Sequence, residues 1–192
     1  MRRFAASLLA LLFGSAAELD AAPLRARMTS EDHLDPAGFV RSVQRRSYEG
    51  AVPLANATAL STRLHADYAR TVGRLPFLRA VTAADGRVAV RLGPLCLLAL
   101  GPVTAVDGQL GLTERRVEGG LLVPAADRGR GRFGIFVGAD GGALRVEVRL
   151  EDYRSTIRGT APRSPLREAI YRLTQLPLHR AVGLRFLEGL SL

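Results

Sequence analysis

The chain has 192 residues, of which 47% are hydrophobic and 23% charged; this is typical of a soluble globular domain and excludes disorder over the whole chain. The net charge is +9, and every one of the 27 basic residues is an arginine. Because the arginines are scattered with no run longer than two, we interpret them as a general enrichment, typical of GC-biased coding, rather than as a phosphate-binding patch.

The first residues of the chain fit two interpretations. A basic start, an apolar run from Phe4 to Phe13 and small residues at Ser15–Ala17 have the order of a secretory signal. Ser15 and Glu18 also form a capping box, which predicts a helix in the same place. The apolar run is too short to span a membrane as a helix, so no integral membrane span is expected.

We therefore divide the chain into two parts. Residues 1–28 are an N-terminal helix or signal peptide, and residues 29–192 are a single α+β domain. A cytoplasmic location is favoured, and export with removal of Met1–Ala17 is the alternative.

Two helical patterns follow. Asp35-Pro36 has the cap and the first-turn proline that are typical of a helix start, and this helix is predicted to end near Gly50. Pro53 opens a longer pattern, in which apolar residues recur at four-residue spacing as far as the stop signal Gly73.

Three residues with functional groups lie together in the second helical pattern: His65, Asp67 and Tyr68. Residues two apart face different sides of a helix, so His65 and Asp67 cannot form a catalytic pair there. We predict that both are surface residues beside a core tyrosine.

From Leu75 the pattern changes to the two-residue period of β-strands, and about six strands are predicted. Hairpin turns are indicated by Asp85-Gly86, Asp107-Gly108 and Asp140-Gly141. The clearest strand is Ala143–Tyr153, in which Leu144, Val146, Val148 and Leu150 share one face. Short hairpin connections indicate that the strands pair antiparallel.

The last element is predicted to be one long helix. Ser164 is suited to cap it and Pro165 to take its first position. Pro177 interrupts the helical hydrogen bonds and should kink the helix. Tyr171 lies before that kink and His179 just after it.

Together these elements predict an α+β fold: an antiparallel curved sheet of about six strands, with N-terminal helices and a long, Pro-kinked C-terminal helix packed on one face. The layout resembles the START-like, helix-grip superfamily (SRPBCC), which includes polyketide cyclase-like and lipid-transfer proteins. The strands Arg130–Val137 and Ala143–Tyr153 and the helix from Pro165 to Leu190 carry the resemblance. A typical member begins with a strand before its first helices, and no strand pattern is evident here before Asp35.

The resemblance implies a cavity between the sheet and the C-terminal helix that binds an apolar small molecule or lipid. Tyr153, Tyr171 and His179 are the expected polar anchors, because such pockets are apolar with a few polar groups. The alternative is a cyclase- or dehydratase-like enzyme that uses the same cavity. In that case His179 would act as general acid or base, with Asp152 or Tyr171 nearby.

A second alternative is a binder of an anionic partner through the arginine-rich surface, including the segment Arg128–Arg132. Nucleic acid is not expected as a partner, because few aromatic residues are interleaved with the charge. No metal site is predicted, since three histidines and one cysteine show no zinc-type spacing. No cofactor is predicted either, because the sequence lacks a phosphate loop and a dinucleotide fingerprint.

Overall fold

The computed structural model describes residues 28–35, 37–48, 54–157 and 164–190. The helix or signal peptide predicted for residues 1–28 lies outside them except for Met28, so the division of the chain at that point stays a prediction.

Nine strands of the described residues form one antiparallel sheet, and helices cover one of its faces. The strands are β1 Met28–Leu34, β2 Val40–Tyr48, β3 Leu78–Thr82, β4 Val88–Leu92, β5 Leu95–Leu100, β6 Thr104–Ala105, β7 Leu112–Gly119, β8 Arg132–Asp140 and β9 Ala143–Tyr153. The helices are α1 Ala57–Gly73, α2 Pro165–Leu173 and α3 Gln175–Glu188. The order across the sheet is β1-β2-β9-β8-β7-β5-β4-β3, and β6 pairs with β7. The α+β prediction is thus confirmed, with more strands than the six expected.

The helix predicted from Asp35-Pro36 to near Gly50 is wrong, because β1 and β2 form a hairpin there. The expectation of no strand before Asp35 is wrong for the same reason. Asp35 is a local cap as predicted, but it caps the hairpin turn, where its side chain accepts the backbone N–H of Phe39 at 2.7 Å. Val40 and Val43 have the three-residue spacing of one side of a helix, but pairing with β9, with a register shift between Val40 and Ser42, makes this segment a strand.

The later strands follow the sequence pattern closely. Strand β9 has the predicted bounds, and Gly141 and Gly142 have φ of 58° and 86° in the turn before it. On its inner face Val146 is fully buried. The same face of the sheet continues into β2, because Gln44 lies opposite Val148 in register.

The C-terminal helix is bent, as predicted, and the bend divides it into α2 and α3. The break is at Thr174, whose φ and ψ are −123° and −67°. It lies three residues before Pro177, because a proline cannot donate to the carbonyl four residues back and its ring clashes with that carbonyl. Here that group belongs to Leu173, the last residue of α2.

Helices α1 and α3 pack on the concave face of the sheet and form the core with it. The side chains that carry this packing are almost fully buried: Leu64 on α1, Phe186 and Leu187 on α3, and Val117, Ile135 and Val146 on the sheet. The C-terminus of α3 is tied to β2, since Arg46 Nη1 donates to the carbonyl of Leu187 at 2.9 Å. The fold therefore holds α3 across the open side of the sheet, above the residues described next.

Candidate ligand-binding cavity

A cavity of about 100 Å³ lies between the concave face of the sheet, α1 and α3. Its apolar wall comes from every layer of the fold: Ala69 and Val72 on α1, Phe133 on β8, Val148 and Leu150 on β9, and Leu178 and Val182 on α3. The inner face of β9 and the helix after Pro177 thus both contribute to it, in the place where the resemblance implies a pocket.

The lining residues are buried on one side of the cavity and partly exposed to solvent on the other. Lining residues from β2, β7, β8 and β9 are buried, whereas Val90 on β4, Leu97 and Leu98 on β5 and Leu178 on α3 are half-buried. Solvent therefore reaches the cavity most readily between β4–β5 and α3.

Six side chains with polar atoms interrupt this apolar wall: Ser42, Gln44, His65, Tyr68, Arg115 and His179. Two of them satisfy each other, because Gln44 Nε2 donates to Ser42 Oγ at 2.7 Å and Ser42 Oγ donates to Asp32. Gln44 also packs against Gly183, where a Cβ would overlap its side-chain oxygen. This close approach of β2 and α3 explains a glycine in the middle of a helix.

His179 belongs to a buried network built on Gln175. The side-chain amide of Gln175 donates to Tyr153 Oη at 2.6 Å and lies 3.2 Å from His179 Nε2, while its oxygen accepts from Ser155. Tyr153 in turn donates to the carbonyl of Leu122 at 2.9 Å. Because this carbonyl can only accept, the hydroxyl proton of Tyr153 is committed to it, and Gln175 must donate to both neighbours.

This network determines the protonation of His179. Its Nε2 accepts from Gln175, so the ring proton of the neutral imidazole lies on Nδ1. Burial lowers the pKa of His179 to about 4, with a weaker opposing effect of the Asp32 charge. At neutral pH His179 is therefore uncharged, and its one free lone pair is already used, which makes it poorly suited to act as a general base.

His65 is held by a similar chain on the other side of the cavity. Its Nε2 lies 3.2 Å from the carbonyl and 3.1 Å from the hydroxyl of Thr113; that hydroxyl donates to Ser61, and Ser61 to the carbonyl of Thr58. His65 Nε2 is thus a donor, and Nδ1 is a bare acceptor without a partner among the described residues. Burial lowers the pKa of His65 to about 4, so this ring is also neutral.

Arg115 is the one charged residue in the wall of this cavity. Its side chain is 6% exposed, and its Nη1 donates to the carbonyls of Gly86 at 2.6 Å and Gly101 at 2.8 Å. Burial lowers the pKa of the guanidinium, but an arginine remains charged at neutral pH. The cavity therefore combines apolar walls with one buried positive charge.

The three residues predicted as polar anchors lie in different surroundings. His179 lines the cavity. Tyr153 does not line it but contacts His179, with ring centroids 5.9 Å apart. Tyr171 is fully buried in the core, away from the cavity wall. Asp152, considered as a partner for His179, instead binds Arg132 at 2.7 Å.

The prediction that His65 is a surface residue is wrong, because its side chain is 2% exposed. Helical spacing indicated only which residues share a side of α1, and not that the sheet covers the side with His65. The sequence analysis did not predict Arg115 as a site residue, although the strand pattern contained a signal. Arg115 lies on the same face of β7 as Thr113 and Val117, and both of these are buried.

Several arginines on the surface of the described residues form ion pairs or stack on aromatic rings. In the segment Arg128–Arg132, Arg130 stacks on Phe39 at 4.0 Å, and Arg132 pairs with Asp152. Across the outer face of β9, Arg149 pairs with Glu147 at 2.7 Å. No group of three metal-ligating side chains occurs in the part of the chain that the structure describes, and none of its helices is long and apolar enough to cross a membrane.

No protein-family model matches the chain, and no curated protein matches it. Similar solved structures include CalU16 from Micromonospora echinospora, with 10% identity over 84% of this chain and 83% of that chain, and a TM-score of 0.42. They also include Ara h 8.0201, with 13% identity over 78% and 99% and a TM-score of 0.41. Protein Ms6760 from Mycobacterium smegmatis matches with 11% identity over 85% and 96% and a TM-score of 0.46. Likeness at this level carries no argument about function, which rests on the cavity itself.

Proposed function

We propose that this protein is a helix-grip protein that binds a small hydrophobic molecule in the cavity between the sheet, α1 and α3. The observation that carries the proposal is the cavity of about 100 Å³, apolar on most of its wall, with a few polar side chains held in fixed orientations. Pockets of this composition are typical of small-molecule sites.

The volume limits the size of the ligand. An engineered cavity of about 150 Å³ in another protein binds benzene, so a molecule of one ring would fill a cavity of about 100 Å³ and reach into the more open wall between β4–β5 and α3. A lipid would place only its end there and extend through the looser wall between β4–β5 and α3.

The enzymatic alternative has less support. General acid–base catalysis requires a group whose proton or lone pair can reach the substrate, and the lone pair of His179 faces Gln175. If His179 were catalytic, His179→Ala would abolish turnover. In a binding protein the same substitution should leave most of the ligand affinity intact.

Thermal unfolding with and without a small apolar probe tests the proposal. Toluene at about ten times its dissociation constant should stabilise the protein by about 1.4 kcal/mol, which is a rise in Tm of about 3–6 °C at this chain length. Ala69→Leu, which adds three carbon atoms at the cavity wall, should abolish this rise.

Ala66→Leu is the matched control, because Ala66 is exposed on the same helix and does not line the cavity. It should respond to toluene as the unsubstituted protein does. The proposal is overturned if toluene leaves the Tm unchanged, or if Ala69→Leu and Ala66→Leu respond alike. Native mass spectrometry of the freshly purified protein would then identify any ligand that it retains.

A further inference from the structure

Arg115 is a buried cation that has no anion. In the part of the chain that the structure describes, no carboxylate lies within ion-pair distance of its guanidinium. The acidic neighbours on its own strand, Glu114 and Glu118, alternate to the opposite face of β7, and Glu118 pairs with Arg87 at 3.2 Å. A buried charge without a partner is unfavourable for folding, and perturbed charged groups cluster at functional sites.

One edge of the Arg115 guanidinium is free. Both protons of Nη1 are used by the carbonyls of Gly86 and Gly101. The other three N–H groups, on Nε and Nη2, have no hydrogen-bond partner among the described residues, and these two atoms are not fully enclosed. They form the side of the fork that matches the two oxygens of a carboxylate.

The surroundings of Arg115 favour an organic anion over a hydrated inorganic one. Arg115 shares the cavity wall with Phe133, its partner on β8, and with Val88 and Leu100. Besides burial, the charge of Arg115 contributes to the lowered pKa of His65, and His65 is therefore neutral. The site thus offers one positive charge, set in an apolar wall.

We infer that the ligand of this cavity is an amphipathic carboxylate, whose anionic group binds the Nε and Nη2 edge of Arg115 while its apolar part fills the space toward α3. The inference rests on the proposed function and specifies its ligand class. A bound carboxylate would supply the counter-charge that the protein itself lacks at this position.

Two probes of one shape separate charge from apolar contact. Benzoate and nitrobenzene have the same planar outline and two terminal oxygens, but only benzoate is charged at pH 7. Each would be titrated into the full-length protein, with binding followed by the NMR shifts of the methyl groups of Val148 and Leu150. An apolar cavity without a usable cation would exclude benzoate, because burying its charge is unfavourable. Since Arg115 supplies that cation, we expect both probes to bind.

Substitution of Arg115 then assigns the charge effect. Arg115→Gln should weaken benzoate binding about tenfold or more, because a bidentate charge-assisted contact is lost. Nitrobenzene binding should change less than about twofold. Arg116→Gln, on the exposed face of the same strand, is the matched control and should leave both affinities unchanged. Arg115→Lys keeps the charge without the fork and should fall between the two.

The outcomes separate the inference from the proposed function. Nitrobenzene binding without benzoate binding overturns the inference and leaves the proposed function standing. Equal losses of both probes in Arg115→Gln also overturn it, because they indicate a structural role. If neither probe binds, the inference is overturned, and the proposed function falls with it when toluene also fails to bind. The comparison of the two probes on the unsubstituted protein remains decisive even if Arg115→Gln does not fold.

Discussion

Two histidines of the cavity wall, the buried His65 and the half-buried His179, connect the cavity to the pH dependence of folding. Burial lowers the pKa of His65 and of His179 to about 4, from an ordinary value near 6.5. The unfolded chain therefore binds more protons than the folded protein between these two values. Folding stability is fully present above about pH 6.5, falls as the pH drops toward 4, and changes no further through these groups below that.

We predict that His179→Gln weakens this pH dependence. A histidine whose pKa is lowered to about 4 in the folded state costs about 2–3 kcal/mol of stability between pH 7 and pH 4.5, and glutamine does not titrate. The free energy of unfolding in urea, measured at both pH values, should fall less in the variant by about that amount. The difference between the two pH values is the readout, so a general loss of stability does not affect it.

His33→Gln provides the control for this prediction. His33 is exposed on β1 and lies outside the network around Gln175. This variant should lose as much stability between pH 7 and pH 4.5 as the unsubstituted protein. If His179→Gln also loses as much, His179 is accessible to protons in the folded state and the buried network around Gln175 is not closed.

At the scale of elements, the turn that leads into β7 is hydrogen-bonded to helix α1 and to strand β8. The N–H of Gly111 donates to the side chain of Thr58 at the start of α1, and its carbonyl accepts from Val137 on β8 at 2.9 Å. Gly111 has a φ of 82°, and a Cβ there would overlap the carbonyl oxygen of Val137. The glycine thus permits both the backbone conformation and the contact of the turn with β8.

We predict that Gly111→Ala costs more than about 3 kcal/mol of stability, since it combines left-handed strain with an overlap against backbone. Gly108→Ala, in the same turn, isolates the strain, because its φ is 74° and no described atom lies within 4 Å of the added Cβ. It should cost only about 1–2 kcal/mol. Equal losses in urea unfolding would mean that the turn does not contact β8 closely.

The elements differ in how much of them the sequence determines. Strand β9 and the bend before Pro177 follow from local rules, since alternation and a missing N–H act over a few residues. Strand β2 does not: Val40 and Val43 are spaced as on one side of a helix, and only pairing with β9, about a hundred residues later, makes the segment a strand. The site is even harder to predict from the sequence. His65 on α1, Arg115 on β7 and His179 on α3 line one cavity only because of how the helices pack on the sheet.

At the scale of the whole molecule, an aromatic cluster joins the helices to the sheet. Tyr68 on α1 lies between Phe133 on β8 and Phe186 on α3, with ring centroids 4.6 Å and 5.2 Å apart. Phe133 also lines the cavity. Such ring pairs add to the stability that burial provides, so this cluster is where α1, α3 and the sheet are held at the spacing that leaves the cavity open.

Phe186→Ala should therefore cost about 3–5 kcal/mol in the free energy of unfolding, the usual range for a phenylalanine truncated in a core. Phe186 is 1% exposed, whereas Leu173 at the end of α2 is 46% exposed, and Leu173→Ala should change stability by less than about 0.5 kcal/mol. Both are measured by urea unfolding. Because α3 forms one wall of the cavity, the loss in Phe186→Ala should be accompanied by a weaker rise in Tm with toluene. A loss below about 1 kcal/mol would show that α3 contributes little to the fold, and the cavity would then lack the wall on which both proposals depend.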